Sequence, residues 1–154
     1  ACFLCRKADF LNIHFWDELW MDSMSYAIGE DQAMFYKMHK YGLKQLTWYK
    51  HQFVHLDAGN NMIPEKERKR LYGDIYFKTI FWHRFIYTPE KNILAKLWDI
   101  ACITYYLTFT LLISLIKCNF KVLKTKWNAL RDAYCFLCSE KYKSLPKITK
   151  LKGW

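Results

Sequence analysis

The chain has 154 residues, of which 53% are hydrophobic and 19% aromatic, and 24 Lys and Arg against 14 Asp and Glu give a formal charge of +10. That length suits one domain or part of one. The absence of any internal repeat or low-complexity tract excludes a repeat array. A basic balance of this size points to an anionic partner: nucleic acid, an anionic membrane surface or a phosphorylated substrate. Aromatic residues interleaved with basic ones fit base stacking on single strands, and they equally fit a membrane interface, where Trp and Tyr sit at headgroup depth and Lys and Arg snorkel.

In chain order, the apolar opening at 2–5 reads as a buried strand end cut from a larger sheet, so the chain is expected to be part of a longer protein. Cys2 and Cys5 form one C-x-x-C pair, and Cys135 and Cys138 a second. Four thiolates can bind zinc, but Phe-Leu fills both gaps, inside apolar segments. The expectation is therefore reduced structural thiols that behave as small hydrophobes.

From Phe10 to Trp20 the residues Phe10, Ile13, Trp16, Leu19 and Trp20 recur every three or four positions, which predicts a short helix carrying Asp17 and Glu18 on one side. After a loop at 22–28, Gly29-Glu30-Asp31 opens a helix over 29–41, with Met34, Met38 and Tyr41 at helical spacing and Gly42 as its C-terminal stop. Backbone N–H groups and the macrodipole favour Glu30 and Asp31 at that start. Such acids serve as simple caps, or as a carboxylate on a rigid mount that can accept a proton. Two short extended segments, 43–49 and 52–56, and a turn-rich loop at 57–61 follow. His55, at the edge of that loop, is a candidate metal ligand or a hydrogen-bonding structural histidine.

Pro64 and Glu65 open a long helix with a basic start (Lys66, Arg68, Lys69, Arg70) and a broad apolar face from Leu71 to Ile86. The next helix is expected from Pro89 to Lys117. Its seventeen residues from Ile100 to Ile116 carry no charge. That is short of the roughly 20 needed for a comfortable span, so interfacial or re-entrant, transmembrane and buried soluble placements all remain open. A last amphipathic helix, about 119–141, places Val122, Leu123, Trp127, Leu130, Tyr134 and Leu137 on one face and Lys121, Lys124, Lys126 and Arg131 on the wet side, a pattern that suits an anionic bilayer. The apolar content of 71–116 argues against a nucleic-acid binder.

Phe15-Trp16-Asp17-Glu18, Gly29-Glu30-Asp31-Gln32, Tyr41-Gly42-Leu43-Lys44 and Val54-His55-Leu56-Asp57-Ala58-Gly59, in this order, resemble the C-terminal half of family-2 glycosyltransferases, especially bacterial enzymes that build surface polysaccharide. The resemblance covers residues 1–87 well and the rest loosely. It implies an α/β GT-A fold fragment, mostly α in the part present with a few short strands, followed by amphipathic membrane-associated helices. The implied divisions are 1–62 (end of the catalytic domain), 63–142 (helical membrane-associated region) and 143–154 (basic tail). It also implies inverting transfer of a sugar from a nucleotide-sugar donor to a hydroxyl acceptor; the basic, aromatic helices in turn fit a lipid-linked acceptor and a place at the cytoplasmic face of the inner membrane, peripheral or re-entrant. Asp31 would be the general base, Glu30 would support its position or bind acceptor, and Asp17 and Glu18 would contact acceptor hydroxyls. His55 would touch a divalent metal, Mg or Mn. No Asp-x-Asp stands in the sequence, so the other metal ligands would lie outside it, and these residues alone are expected to be inactive. The Gln-x-x-Arg-Trp signature of processive members is also absent, which points to single addition. The competing reading is a membrane-surface binding module without chemistry.

Overall fold

The computed structural model describes residues 5–23, 29–44, 50 and 64–148. All regular structure among them is helical, as the mostly α expectation requires. The order is α1 (Lys7–Asn12), a 3-10 helix (Phe15–Ser23), α2 (Glu30–Lys40), α3 (Pro64–Phe81) running into a π turn (Trp82–Tyr87), α4 (Ile93–Ile116), α5 (Phe120–Cys138) and α6 (Glu140–Lys143). No strand occurs among the described residues. The extended segments expected at 43–49 and 52–56 fall outside them except for residues 43–44, which are irregular, and of the apolar opening only Cys5 is described, irregular and exposed.

The helix expected over 10–20 is broken in two. His14 adopts a left-handed φ of 50°, which ends α1 and lets the chain restart as a 3-10 helix. Side chains three apart eclipse in that geometry, so Phe15, Glu18 and Met21 share one face, and Glu18 and Met21 are buried.

Helix α2 is held at both ends by glycines with positive φ. Gly29 caps its start at φ 85°. A Cβ there would run into the Phe77 ring of α3, so this position needs glycine for conformation and for close approach. At the other end Gly42 has φ 74°. Its N–H donates to His39 O (2.9 Å) and that of Leu43 to Met38 O (3.0 Å). This is a Schellman motif, and Leu43 packs beside Ile13, Met34 and Met38 as its apolar contact.

One core joins the N-terminal elements to the long helices, across the division drawn at 62. Trp20, Met21 and Ala33 cluster with Ile75, Phe77, Ile80, Phe85, Ala129 and Ala133. Trp20 stacks on Phe77 with centroids 6.1 Å apart, and Phe81 on Phe85 at 4.7 Å. Each buried aromatic of this kind contributes about 1.5–3 kcal/mol. Leu145 and Ile148, at the start of the basic tail, also pack against this core.

Helix α5 packs on the core through part of its expected apolar face, Leu130 and Leu137, together with two alanines. Ala129 and Ala133, four residues apart, are fully buried, whereas Trp127 and Tyr134 are exposed. Small side chains let α5 lie close along α3, its most extensive helix partner. Tyr72 Oη donates to Asp132 Oδ2 (2.8 Å) across the same seam. Cys5, Cys102, Cys118, Cys135 and Cys138 are all exposed. The expectation that the C-x-x-C thiols act as buried small hydrophobes is thus corrected for Cys5, Cys135 and Cys138; on α5 the alanines take the close-contact positions.

Candidate functional site

Helix α2 carries a different kind of chemistry at each end. At its start Glu30 is exposed and Asp31 half-buried, in the first turn where unbonded backbone N–H groups favour anions. The glycine cap offers no side-chain bond, so the mount is fixed by packing on Phe77. Six residues on, about 9 Å along the axis, Lys37 shares the buried face of Ala33, Met34 and Met38.

Lys37 reaches a carboxylate hub. Its Nζ donates to the His14 carbonyl (2.7 Å) and to Glu18 Oε1 (3.1 Å), and lies 3.6 Å from Asp17 Oδ2. The left-handed turn at His14 is what presents that carbonyl. Arg84 grips Glu18 with two parallel bonds, Nε to Oε2 and Nη2 to Oε1, each 2.8 Å. Trp20 Nε1 donates to Oε2 at 2.7 Å. Glu18 is only 1% exposed. Burial pushes its carboxyl up, but the bonds and charges of Arg84 and Lys37, with the Trp20 bond, hold it below the ordinary glutamate range.

In front of the hub opens a cleft of about 750 Å³, lined among others by Asp17, Lys37, Lys40, Tyr41, Arg84 and Lys147. Of the four predicted carboxylates, only Asp17 lines it. Glu18 stands behind its wall with its oxygens committed to Arg84, Lys37 and Trp20. Glu30 and Asp31 sit at the other end of α2. The structure therefore brings Asp17 and Glu18 together around Lys37 and leaves the Glu30–Asp31 pair apart from them.

His55 lies outside the described residues. Among the described residues no three His, Cys, Asp or Glu side chains gather as a metal site.

Lys37, Arg84 and His14 carry no function in the sequence reading, yet they define the hub. The signal was present: Lys37 and Arg84 are charged residues standing on otherwise apolar helical stripes, Arg84 in line with Phe77 and Ile80. No family model matches the chain, and no curated protein or solved structure matches it.

Proposed function

We propose that this chain belongs to an inverting, GT-A type glycosyltransferase that moves a sugar from a nucleotide-sugar to a hydroxyl acceptor at the cytoplasmic face of a membrane. The sequence resemblance supplies the activity. The observation that supports it best is the mount of Glu30 and Asp31: a left-handed glycine, seated against Phe77, opens α2 on these two carboxylates. In this reading Asp31 takes the proton of the acceptor hydroxyl as the hydroxyl attacks the anomeric carbon, and the nucleoside diphosphate leaves from the opposite face. Glu30 supports that position. Asp17, half-buried in the cleft wall, is placed to meet acceptor hydroxyls, while Glu18 acts by holding the hub that fixes Asp17 and Lys37. The donor site and the divalent metal implied by the resemblance would be furnished by residues outside those described.

The test is Asp31→Asn in the protein with its donor-binding segment, assayed for sugar transfer to a membrane-extracted acceptor. Loss of a general base lowers turnover by about 10²–10⁴-fold, with the melting temperature unchanged. Undiminished turnover removes Asp31 from the mechanism. A second reading, a membrane-surface module without chemistry, is favoured by one observation: α4 is 24 residues long, yet only 6% of its most apolar window is buried. Under that reading membrane binding survives and no transfer is found for any acceptor.

A further inference from the structure

Helix α4 is inverted relative to a helix of a water-soluble core. Tyr106, Thr110 and Ser114 turn toward the protein, while Thr104 and Thr108 are exposed. Tyr106 Oη meets Lys78 Nζ (3.0 Å) and Asp74 Oδ2 (3.3 Å) of α3. Ser114, 3% exposed, donates through Oγ to Thr110 O (3.1 Å). Lys126 of α5 crosses the seam to Thr110 O (3.1 Å) and Ser114 Oγ (2.9 Å). The opposite stripe, Trp98, Cys102, Tyr105, Phe109, Leu112 and Ile116, follows at alternating four- and three-residue steps and is exposed throughout. Trp98, Tyr105 and Ile116 are 70%, 68% and 71% exposed. The stripe is uncharged beyond Asp99 and runs about 27 Å at 1.5 Å per residue. A helix in water turns its apolar stripe inward; one that meets hydrocarbon keeps polar side chains for protein contacts.

The turn after α4 leads to a second outward feature. Phe120, Trp127 and Tyr134 of α5 recur every seven residues and are all exposed. Lys121, Lys124 and Arg131, exposed as well, stand between them. Aromatic rings alternating with long cations match the headgroup layer of an anionic bilayer, where the rings settle at the interface and the cations meet lipid phosphates.

We propose that α4 and the outer face of α5 form one membrane-contact surface: the Trp98–Ile116 stripe enters the acyl region of the facing leaflet, and the Phe120–Tyr134 face meets anionic phospholipid headgroups. This rests on the membrane-surface part of the reading above and not on sugar transfer. Charge complementarity selects lipid over a second copy, because two copies would set Lys121, Lys124 and Arg131 against their like.

The test is flotation of the full chain with phosphatidylcholine vesicles, with and without phosphatidylglycerol. Wild type is expected to float with the mixed vesicles at least about tenfold more tightly than with the neutral ones. Lys124→Glu with Arg131→Glu should abolish that preference and leave neutral-vesicle binding unchanged. Tyr105→Lys with Phe109→Lys should abolish flotation with both. All four positions are exposed, so an unchanged thermal melt verifies folding. No flotation of wild type, or flotation indifferent to both pairs, overturns the proposal. So does self-association without vesicles that Tyr105→Lys with Phe109→Lys removes, since the face would then belong to a second copy. Because flotation does not read turnover, its failure leaves the catalytic reading to the Asp31→Asn assay.

Discussion

The hub around Glu18 and the α4–α5 hairpin depart from the usual distribution of polar and apolar groups in opposite directions. In the hub, charged side chains sit in the core: Glu18, Lys37 and Arg84 are all at most 5% exposed. In the hairpin, large apolar side chains face outward. The hub solves its problem internally, because each charge has a counter-charge and shared hydrogen bonds within reach. The hairpin has no internal solution among the described residues, which is why it points to a partner of low dielectric. A buried charge therefore reports on stability, and an exposed apolar stripe reports on environment.

The comparison breaks most sharply at Glu18. Glu18→Ala leaves Lys37 and Arg84 buried beside each other without their common anion, and removing one partner of a buried pair costs about 3–5 kcal/mol. Chemical denaturation should show a loss of that size. The same carboxyl sets an acid limit. Its folded pKa lies below the ordinary value of 4.5, so its contribution is fully present above pH 4.5 and is lost as pH falls through the lower folded value. Wild type should lose stability below pH 4.5 more steeply than Glu18→Gln. Parallel acid curves for the two would show that the hub is not the ion cluster described.

Gly29 tests how the α2 mount depends on the core. Gly29→Ala must place a side chain at φ 85° and against the Phe77 ring. The left-handed conformation costs about 1–2 kcal/mol and the overpacking about 1–3 kcal/mol, so a total of about 2–5 kcal/mol is expected from denaturation curves. A loss under about 1 kcal/mol would mean that Phe77 gives way freely and that the Glu30–Asp31 turn is not held rigidly.

The two regions also differ in how far they could be read from sequence. The start and stop of α2 were legible because glycine at 29 and 42 does a job that few residues can do. The entry of α3 at Pro64 was legible for a similar reason. The hub was hidden by a habit of reading charged residues as surface: Glu18, Lys37 and Arg84 fall on apolar stripes of three separate elements, and only their opposite signs hint that they meet. The inner face of α5 was legible at Leu130 and Leu137 but not at its alanines, because Trp127 and Tyr134 outweigh Ala129 and Ala133 on any hydrophobicity count. Close helix packing against α3 rewards small size instead. For Asp31, the local helix start was readable, but what faces it across a site is not set by the residues of α2.

The smallest effect lies at the turn of the hairpin. Cys118 has a left-handed φ of 49°. Its N–H donates to Leu115 O (2.9 Å) and that of Asn119 to Ser114 O (3.0 Å). This is the same motif that ends α2, with cysteine in the place that Gly42 fills there. Asn119 then caps α5 by accepting from Val122 N at 3.2 Å. The strain of a Cβ in this region is about 1–2 kcal/mol, and the greater freedom of glycine in the unfolded chain offsets about 0.4–1 kcal/mol of the relief. Cys118→Gly should therefore stabilise the protein by about 0.5–1 kcal/mol in denaturant melts. Gly42→Cys, the reciprocal change, should destabilise by a similar amount, because a side chain at Gly42 meets nothing within 4 Å and only the backbone term remains. If the two substitutions do not differ in sign, something other than backbone conformation holds the α4–α5 turn, and the contact of Cys118 Sγ with Ile116 O would be the first place to look.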